Sequence, residues 1–246
     1  MKNKELTIIV PIYNEVDGID MLASEFQPYF EKSTMNPQVL LVDDGSTDGS
    51  LAKIRKLCQS SPKFDYISFD RNRGLSAAIL AGFKYAKTDW LGYIDADLQT
   101  RPIDFLKFED YLNSFDLVLG QRMGRKDSSV KKLTSRFANW FRDSMLHDGV
   151  KDSGCPLKII RREYALALPY FSGVHRFIPA LILMQGGKVK EIPIAHFPRE
   201  NGKSKFNFLN RSIGPIVDTF GVRWMIKRKI NYKINSSNRL PESPNL

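Results

Sequence analysis

Short apolar runs alternate with helix-patterned stretches through the first half of this chain. Glu5 to Tyr13, Val39 to Asp43, Phe64 to Phe69, Trp90 to Ile94 and Leu117 to Gly120 are rich in β-branched, aliphatic and aromatic residues and predict strands. Between them, Val16 to Phe30, Asp48 to Cys58, Leu75 to Ala86 and Pro102 to Asn113 carry helical spacing. Pro102 suits a first helical turn, where its missing N–H costs nothing. Strands separated by helices require crossovers, which lay the strands parallel and cover both faces of an open α/β sheet. Such a sheet binds ligands beyond the carboxyl ends of its strands. That rule gathers Pro11 to Glu15, Asp43 to Asp48, Arg71 to Ser76 and Asp95 to Gln99 at one edge.

The second half is less regular. Val130 to Leu146 reads as a helix, Leu157 to Ile160 as a short apolar segment, His175 to Gln185 as a helix and Lys188 to Phe197 as a hairpin or strand pair. Ser236 to Leu246 is rich in Ser, Asn and Pro and predicts a frayed tail.

Chemistry concentrates where the predicted strands end. Asp95, Asp97 and Gln99 follow the Trp90 to Ile94 run, and an extended backbone there would point all three side chains to one side. Hard oxygen ligands in that arrangement suit Mg²⁺ or Mn²⁺ serving a diphosphate. Alone, so short a motif also describes a solvated turn. The second strand ends in Asp43-Asp44-Gly45-Ser46-Thr47-Asp48-Gly49-Ser50, where Ser46, Thr47 or Asp48 can cap the next helix and Asp44 can accept bonds from a base or ribose. Tyr13 in Val10-Pro11-Ile12-Tyr13-Asn14-Glu15 offers an aromatic wall. Arg71-Asn72-Arg73-Gly74 precedes a small-residue helix whose amino end favours anions, although the Gly-Lys-Ser/Thr ending of a phosphate-binding P-loop is absent.

Charge separates the halves. The chain of 246 residues carries a net charge of +10, yet residues 1–121 hold 13 Lys/Arg against 18 Asp/Glu, while residues 122–233 hold 23 against 8. A basic second half implies an anionic partner: phosphates, acidic lipid head groups or nucleic acid. Two cysteines, Cys58 and Cys155, match no zinc or disulfide framework and suit a reducing setting. The amino-terminal residues lack the features of a secretory signal, and the longest apolar run, Phe177 to Met184, is too short to cross a bilayer.

Taken in order, Pro-x-Tyr-Asn-Glu, Asp-Asp-Gly-Ser-x-Asp-Gly, Arg-Gly-Leu-x-x-Ala and Asp-Ala-Asp-Leu-Gln resemble the nucleotide-sugar domain of family 2 glycosyltransferases, and in particular their polyprenyl-phosphate branch. The resemblance covers about residues 1–205 and implies a GT-A fold, a mostly parallel Rossmann-like sheet flanked by helices. It divides that catalytic domain into a nucleotide-sugar half, about 1–121, and an acceptor half, about 122–205. By resemblance, Pro11, Tyr13, Asn14, Glu15, Asp44, Gly74, Asp95 and Ala96 bind the nucleotide of a GDP or UDP sugar. Asp95, Asp97 and Gln99 hold the Mg²⁺ or Mn²⁺. Arg122, Lys131, Ser135 and Arg136 match positions that bind an acceptor phosphate, with Lys131 standing where an arginine is expected. His175, beside Arg176 at a predicted helix start, is counted with these phosphate-binding residues, and Arg199 and Lys205 lie in a basic loop that is mobile in similar enzymes and would fold over the donor diphosphate. Asp97, Arg122 and Asp152 are the expected catalytic set, with Asp152 orienting sugar or acceptor.

The implied reaction is inverting transfer of a hexose from the nucleotide sugar to a polyprenyl phosphate, with a glycan or another lipid as the alternative acceptor. A non-catalytic basic module binding membrane or nucleic acid is the reading from another class; the carboxylate cluster argues against it, and no nucleic-acid partner is expected. Residues 206–234 alternate apolar and basic side chains as amphipathic helices at a membrane interface do, with packing on the domain as the competing reading. The expected location is therefore cytoplasmic, held peripherally on an anionic membrane surface. The donor base, the sugar, the lipid length and the oligomeric state stay open.

Overall fold

The computed structural model describes residues 4–124, 129–198 and 213–230, with side chains described for 4–124, 138–198 and 214–230. Seven strands form one sheet: β1 (Glu5–Ile12), β2 (Asn36–Asp43), β3 (Phe64–Ser68), β4 (Trp90–Tyr93), β5 (Leu117–Met123), β6 (Lys158–Arg161) and β7 (Val189–Ala195). Their order is β3-β2-β1-β4-β6-β5-β7. All neighbours are parallel except β6, which runs antiparallel to β4 and β5. The expected mostly parallel sheet is therefore present. The reversed strand has a functional consequence, because its first residue, Lys158, lies level with Tyr93 at the carboxyl end of β4 and with Leu119 within β5.

Side-chain alternation along the strands builds two cores. Leu6, Ile8, Val10 and Ile12 pack on one face of the sheet with α1 (Ile19–Lys32) and α2 (Ser50–Ser60). Ile9 points to the other face, against α3 (Leu75–Tyr85). Helix α1 buries Ile19, Leu22, Phe26 and Tyr29, a single helical stripe. Full burial of such a side chain contributes about 1.5–3 kcal/mol.

Three expected elements differ from the observed ones. The stretch from Pro102 forms a 3₁₀ turn over Pro102–Phe105 and one α-helical turn, α4 (Leu106–Glu109). Bonds three residues apart dominate it, such as Asp104 N–H to Arg101 and Tyr111 N–H to Phe108, so the chain winds more tightly than an α-helix. The helix expected from His175 breaks at Phe177 into a 3₁₀ turn (Val174–Arg176) and a helix (Ile178–Met184), because Pro179 has no N–H to continue the ladder. Lys188 to Phe197 is one strand, not a hairpin. It pairs parallel with β5 throughout, and Pro193 is tolerated because β7 is the sheet's edge.

The remaining helices are α5 (Ser129–Leu146), α6 (Arg162–Leu166), α7 (the Ile178–Met184 helix) and α8 (Ile213–Arg228). Helix α8 settles on the domain through Val222 and Thr219, both buried, and through Phe220 against Phe141 of α5. Its opposite face leaves Ile216, Val217 and Trp224 exposed, as is Trp140 of α5. The packing reading thus holds for one face of this helix, and the other face stays exposed. No helix among the described residues is long and apolar enough to cross a membrane. The expected frayed tail, 235–246, lies outside the described residues, as do 206–212 and 231–234.

Candidate active site

Three loops at the carboxyl edge are laced together by side chains. Asn14, with a positive φ of 51°, donates its backbone N–H to Ser46 Oγ (2.9 Å) and accepts the Thr47 N–H on Oδ1 (2.7 Å). Glu15 N–H reaches Ser50 Oγ at 3.0 Å and Val16 N–H reaches Asp48 Oδ2 at 3.2 Å. Gly49, not Ser46, Thr47 or Asp48, stands at the cap position of α2, and Asp48 Oδ1 instead accepts the Ser50 N–H from one residue further out. Pro11, Tyr13, Asn14 and Glu15 thereby share one rim, with the Tyr13 ring 37% exposed.

Asp44 organises the next loop. Its oxygens accept the Arg73 N–H (2.6 Å), the Gly74 N–H (2.9 Å) and the Asn72 amide (2.9 Å). Burial pushes this carboxyl above the usual range, opposed by the two backbone N–H groups. A carboxylate offers about four lone-pair sites, so three protein donors fix Asp44 in place and leave one site over. Its structural work is to hold Asn72 to Gly74 against the second loop. Gly74 caps α3, and an added Cβ there would meet nothing within 4 Å.

The acidic motif is not extended. The chain turns at Ala96 and Asp97, and Leu98 adopts φ 54° with its side chain buried. Two features impose the turn: Asp97 Oδ1 accepts the Gln99 N–H at 3.2 Å, and Leu98 is drawn into the core. The alternating projection expected for Asp95, Asp97 and Gln99 therefore does not apply, and the two carboxylates come close through a loop instead. Burial and then the charge of Asp97 push the Asp95 carboxyl up to about 6, although part of Asp95 is open to the cleft. Tyr93 Oη donates to Asp95 Oδ1 at 2.6 Å from inside the core.

Among the described residues, no three acidic, His or Cys side chains make a metal cage by themselves. Two half-buried, mutually repelling carboxylates nonetheless fit a hard cation completed by phosphate oxygens, the way Mg²⁺ is commonly held.

Opposite lies an ion pair. Arg122 Nε and Nη2 each meet Asp152 at 2.8 Å, and the Arg122 N–H adds a third bond at 3.2 Å. Burial opposes the guanidinium's charge, but the Asp152 bonds and charge outweigh it and raise its pKa. Arg122 in turn lowers the Asp95 pKa, so the acidic turn and this pair lie within electrostatic reach. Glu191 of β7 accepts the Lys151 and Asp152 N–H groups and braces the Asp152 loop.

Other expected residues fall less simply. Lys131, Ser135 and Arg136 belong to α5, but their side chains are outside the described set. Arg199 and Lys205 are outside the described residues. The segment leading to them is rooted at the acidic turn, because Phe197 N–H donates to the Gln99 carbonyl at 3.0 Å and Arg101 stacks on the Phe197 ring. His175 lies beside the donor loops, sharing a 2.9 Å hydrogen bond between Nδ1 and Ser76 Oγ of α3.

Sequence reasoning missed Lys158 and Arg142. Arg142 is buried and spends its guanidinium on Asp148, Asn139, Ser153 and the Val150 carbonyl, tying α5 to the loop that carries Asp152. Lys158 is 1% exposed, and burial pulls its ammonium down to about 8 against the opposing charges of Asp152 and Asp95. The available signal was a lysine inside the apolar run Leu157 to Ile160.

Residues 7–178 match the family described as glycosyl transferase family 2. The dodecaprenyl-phosphate galacturonate synthase of Rhizobium johnstonii is 30% identical over 235 residues, 93% of this chain and 69% of that protein. The undecaprenyl-phosphate 4-deoxy-4-formamido-L-arabinose transferase of Aeromonas hydrophila is 31% identical over 209 residues, 84% of this chain and 64% of that protein, so the chain spans less than two thirds of that relative's length. In fold, the mannosyl-3-phosphoglycerate synthase of Rubrobacter xylanophilus superposes with a TM-score of 0.72 at 16% identity, covering 97% of this chain and 79% of that one. The glucosyl-3-phosphoglycerate synthase of Mycobacterium tuberculosis, solved with Mn²⁺, UDP-glucose and phosphoglyceric acid, gives 0.65 at 16% identity over 91% and 79%. Motif order, sheet topology and family match agree: this chain belongs to glycosyl transferase family 2 and has its GT-A fold.

Proposed function

We propose that the protein transfers a hexose from a GDP or UDP sugar to a polyprenyl phosphate, with inversion. The observation that carries this reading is the acidic turn, Asp95 and Asp97, within electrostatic reach of the Arg122–Asp152 pair at one sheet edge. Asp95 and Asp97, with Gln99 beside them, would hold Mg²⁺ or Mn²⁺, which supplies charge neutralisation for the leaving nucleoside diphosphate. The Pro11 to Glu15 rim, Asp44, Gly74 and Ala96 would position the nucleotide.

Arg122 has an ordinary role in this scheme: its remaining N–H groups orient the acceptor phosphate, joined by Lys131, Ser135 and Arg136 from α5. A phosphate oxygen attacks the anomeric carbon, the carbon–oxygen bond to the diphosphate breaks, and the electron pair leaves with the diphosphate. The phosphomonoester is already anionic near neutrality, so Asp152 serves by aiming Arg122 and need not remove a proton. Positioning and electrostatics supply the rate enhancement. Arg199 and Lys205 would screen the donor diphosphate from the segment rooted at Gln99.

A lipid acceptor is favoured over the phosphoglycerate named for the fold neighbours by the outward face of α8. Ile216, Val217 and Trp224 are exposed and Lys227 and Arg228 close the last turn, which suits a helix resting in an anionic membrane surface on the cytoplasmic side. The catalytic unit is then residues 1–205, with 206–234 as the interface segment.

Transfer from radiolabelled GDP and UDP hexoses to polyprenyl phosphate in the presence of Mn²⁺ tests the proposal, with 3-phosphoglycerate as the competing acceptor. Sugar appearing on phosphoglycerate but not on the lipid would refute the acceptor. Undiminished metal-dependent transfer by Asp97→Ala would refute the metal role.

A further inference from the structure

A lysine side chain removed from water costs free energy unless its charge is partnered, and an apolar residue would usually fill the space at lower cost. Lys158 is 1% exposed and opens β6 directly beside Tyr93 of β4. Its ammonium donates to the Cys155 carbonyl and lies 5.6 Å from the centroid of the Tyr93 ring. Each partner leads to one side of the cleft. Tyr93 Oη holds Asp95 at 2.6 Å. Cys155 N–H donates to the Asp152 carbonyl at 3.0 Å, and Asp152 grips Arg122. The charges of Asp95 and Asp152 both act favourably on the ammonium, while that of Arg122 acts against it.

We propose that Lys158 is a positioning residue: it pins the Asp152–Cys155 turn to the Tyr93–Asp95 pair and so sets the spacing between acceptor phosphate and donor diphosphate. This rests on the glycosyl-transfer reading of the cleft. Lys158 touches neither substrate. Its effect is on geometry, and a misplacement of about 1 Å in a reacting pair is enough to cost roughly 100-fold in rate.

The experiment compares Lys158→Met, which keeps the volume and removes the charge, with Lys158→Arg, which keeps the charge and donor in a larger side chain. Three quantities are read: Tm, affinity for nucleoside diphosphate with Mn²⁺ by calorimetry, and kcat with both substrates saturating. Lys158→Met is expected to melt at or above the wild-type temperature and bind the nucleotide within threefold, yet lose about 10- to 100-fold in kcat. Lys158→Arg is expected to melt lower through overpacking and still keep more kcat than Lys158→Met. That inverse order of stability and activity is what a purely structural lysine would not give.

Activity that follows Tm across the variants, or a Lys158→Met kcat within threefold of wild type, overturns the inference. Should Lys158→Met fail to fold, Lys158→Arg decides against wild type: kcat preserved despite a lowered Tm supports it, and kcat falling in step with Tm overturns it. A wild type that binds the nucleotide but transfers no sugar overturns the functional reading, and with it this role.

Discussion

Replacing Gly45 by alanine tests whether the donor rim is held by the contact between its second and third loops. Gly45 sits at φ +70°, and a Cβ there would lie 2.3 Å from the Arg71 carbonyl carbon and 2.5 Å from its Cα. Reaching even 3.0 Å requires the Arg71–Asn72 backbone to retreat by about 0.7 Å. The left-handed conformation alone costs an alanine about 1–2 kcal/mol. The retreat also stretches the Asp44 bonds to Arg73 and Gly74, now 2.6 and 2.9 Å, and bonds to a charged group contribute about 1.5–3 kcal/mol each. Losing half of both brings the total to about 2.5–5 kcal/mol, or roughly 5–20 °C in Tm for a chain of this size.

Gly124→Ala is the matched control. Gly124 has φ +69° but nothing within 4 Å of an added Cβ, so only the conformational cost applies, about 2–8 °C. Thermal unfolding with and without nucleoside diphosphate and Mn²⁺ measures both quantities, because a ligand of the folded state raises its melting point. Gly45→Ala should lose most of the ligand-induced rise and Gly124→Ala should keep it. Equal melting points in the two variants, with the rise intact in both, would refute the argument.

Other consequences follow from charge and exposure. Asp95, raised to about 6 from 3.8, favours the metal-free folded state below about pH 4, and this contribution is lost as pH rises through 6. Metal binding needs the ionised form, so Mn²⁺ affinity measured with nucleoside diphosphate should fall about tenfold per pH unit below 6 in wild type; a flat profile between pH 5 and 7 would contradict this. Exchanging both Val217 and Trp224 for Glu should leave Tm within about 2 °C, since exposed substitutions change stability little, while cutting flotation with anionic vesicles at least tenfold. Equal flotation of the double variant would remove the membrane role of α8. Arg142→Met leaves Asp148 buried without its partner and should cost about 3–5 kcal/mol, read by denaturant unfolding; a loss under 1 kcal/mol would show that the loop does not depend on the pair.

The alternation of apolar runs and helical spacing was enough to predict a mostly parallel sheet covered on both faces, because period and length are local properties of the chain. The ends of those runs likewise placed Tyr13, Asp44, Gly74 and Asp95 at one edge, since parallel crossovers leave few alternatives. What needed tertiary structure was direction and depth. Nothing in Lys158 to Arg161 states that this strand runs backwards between β4 and β5; that depends on which edge remains to be paired. Whether the acidic motif stays extended was decided by Leu98, whose burial turns the backbone, and whether Lys158 is wet or dry by the packing around it. Residue type and spacing set which groups reach the cleft. The fold set how far apart they stand and how much charge each can carry, because desolvation and Coulomb attraction depend on neighbours distant in sequence.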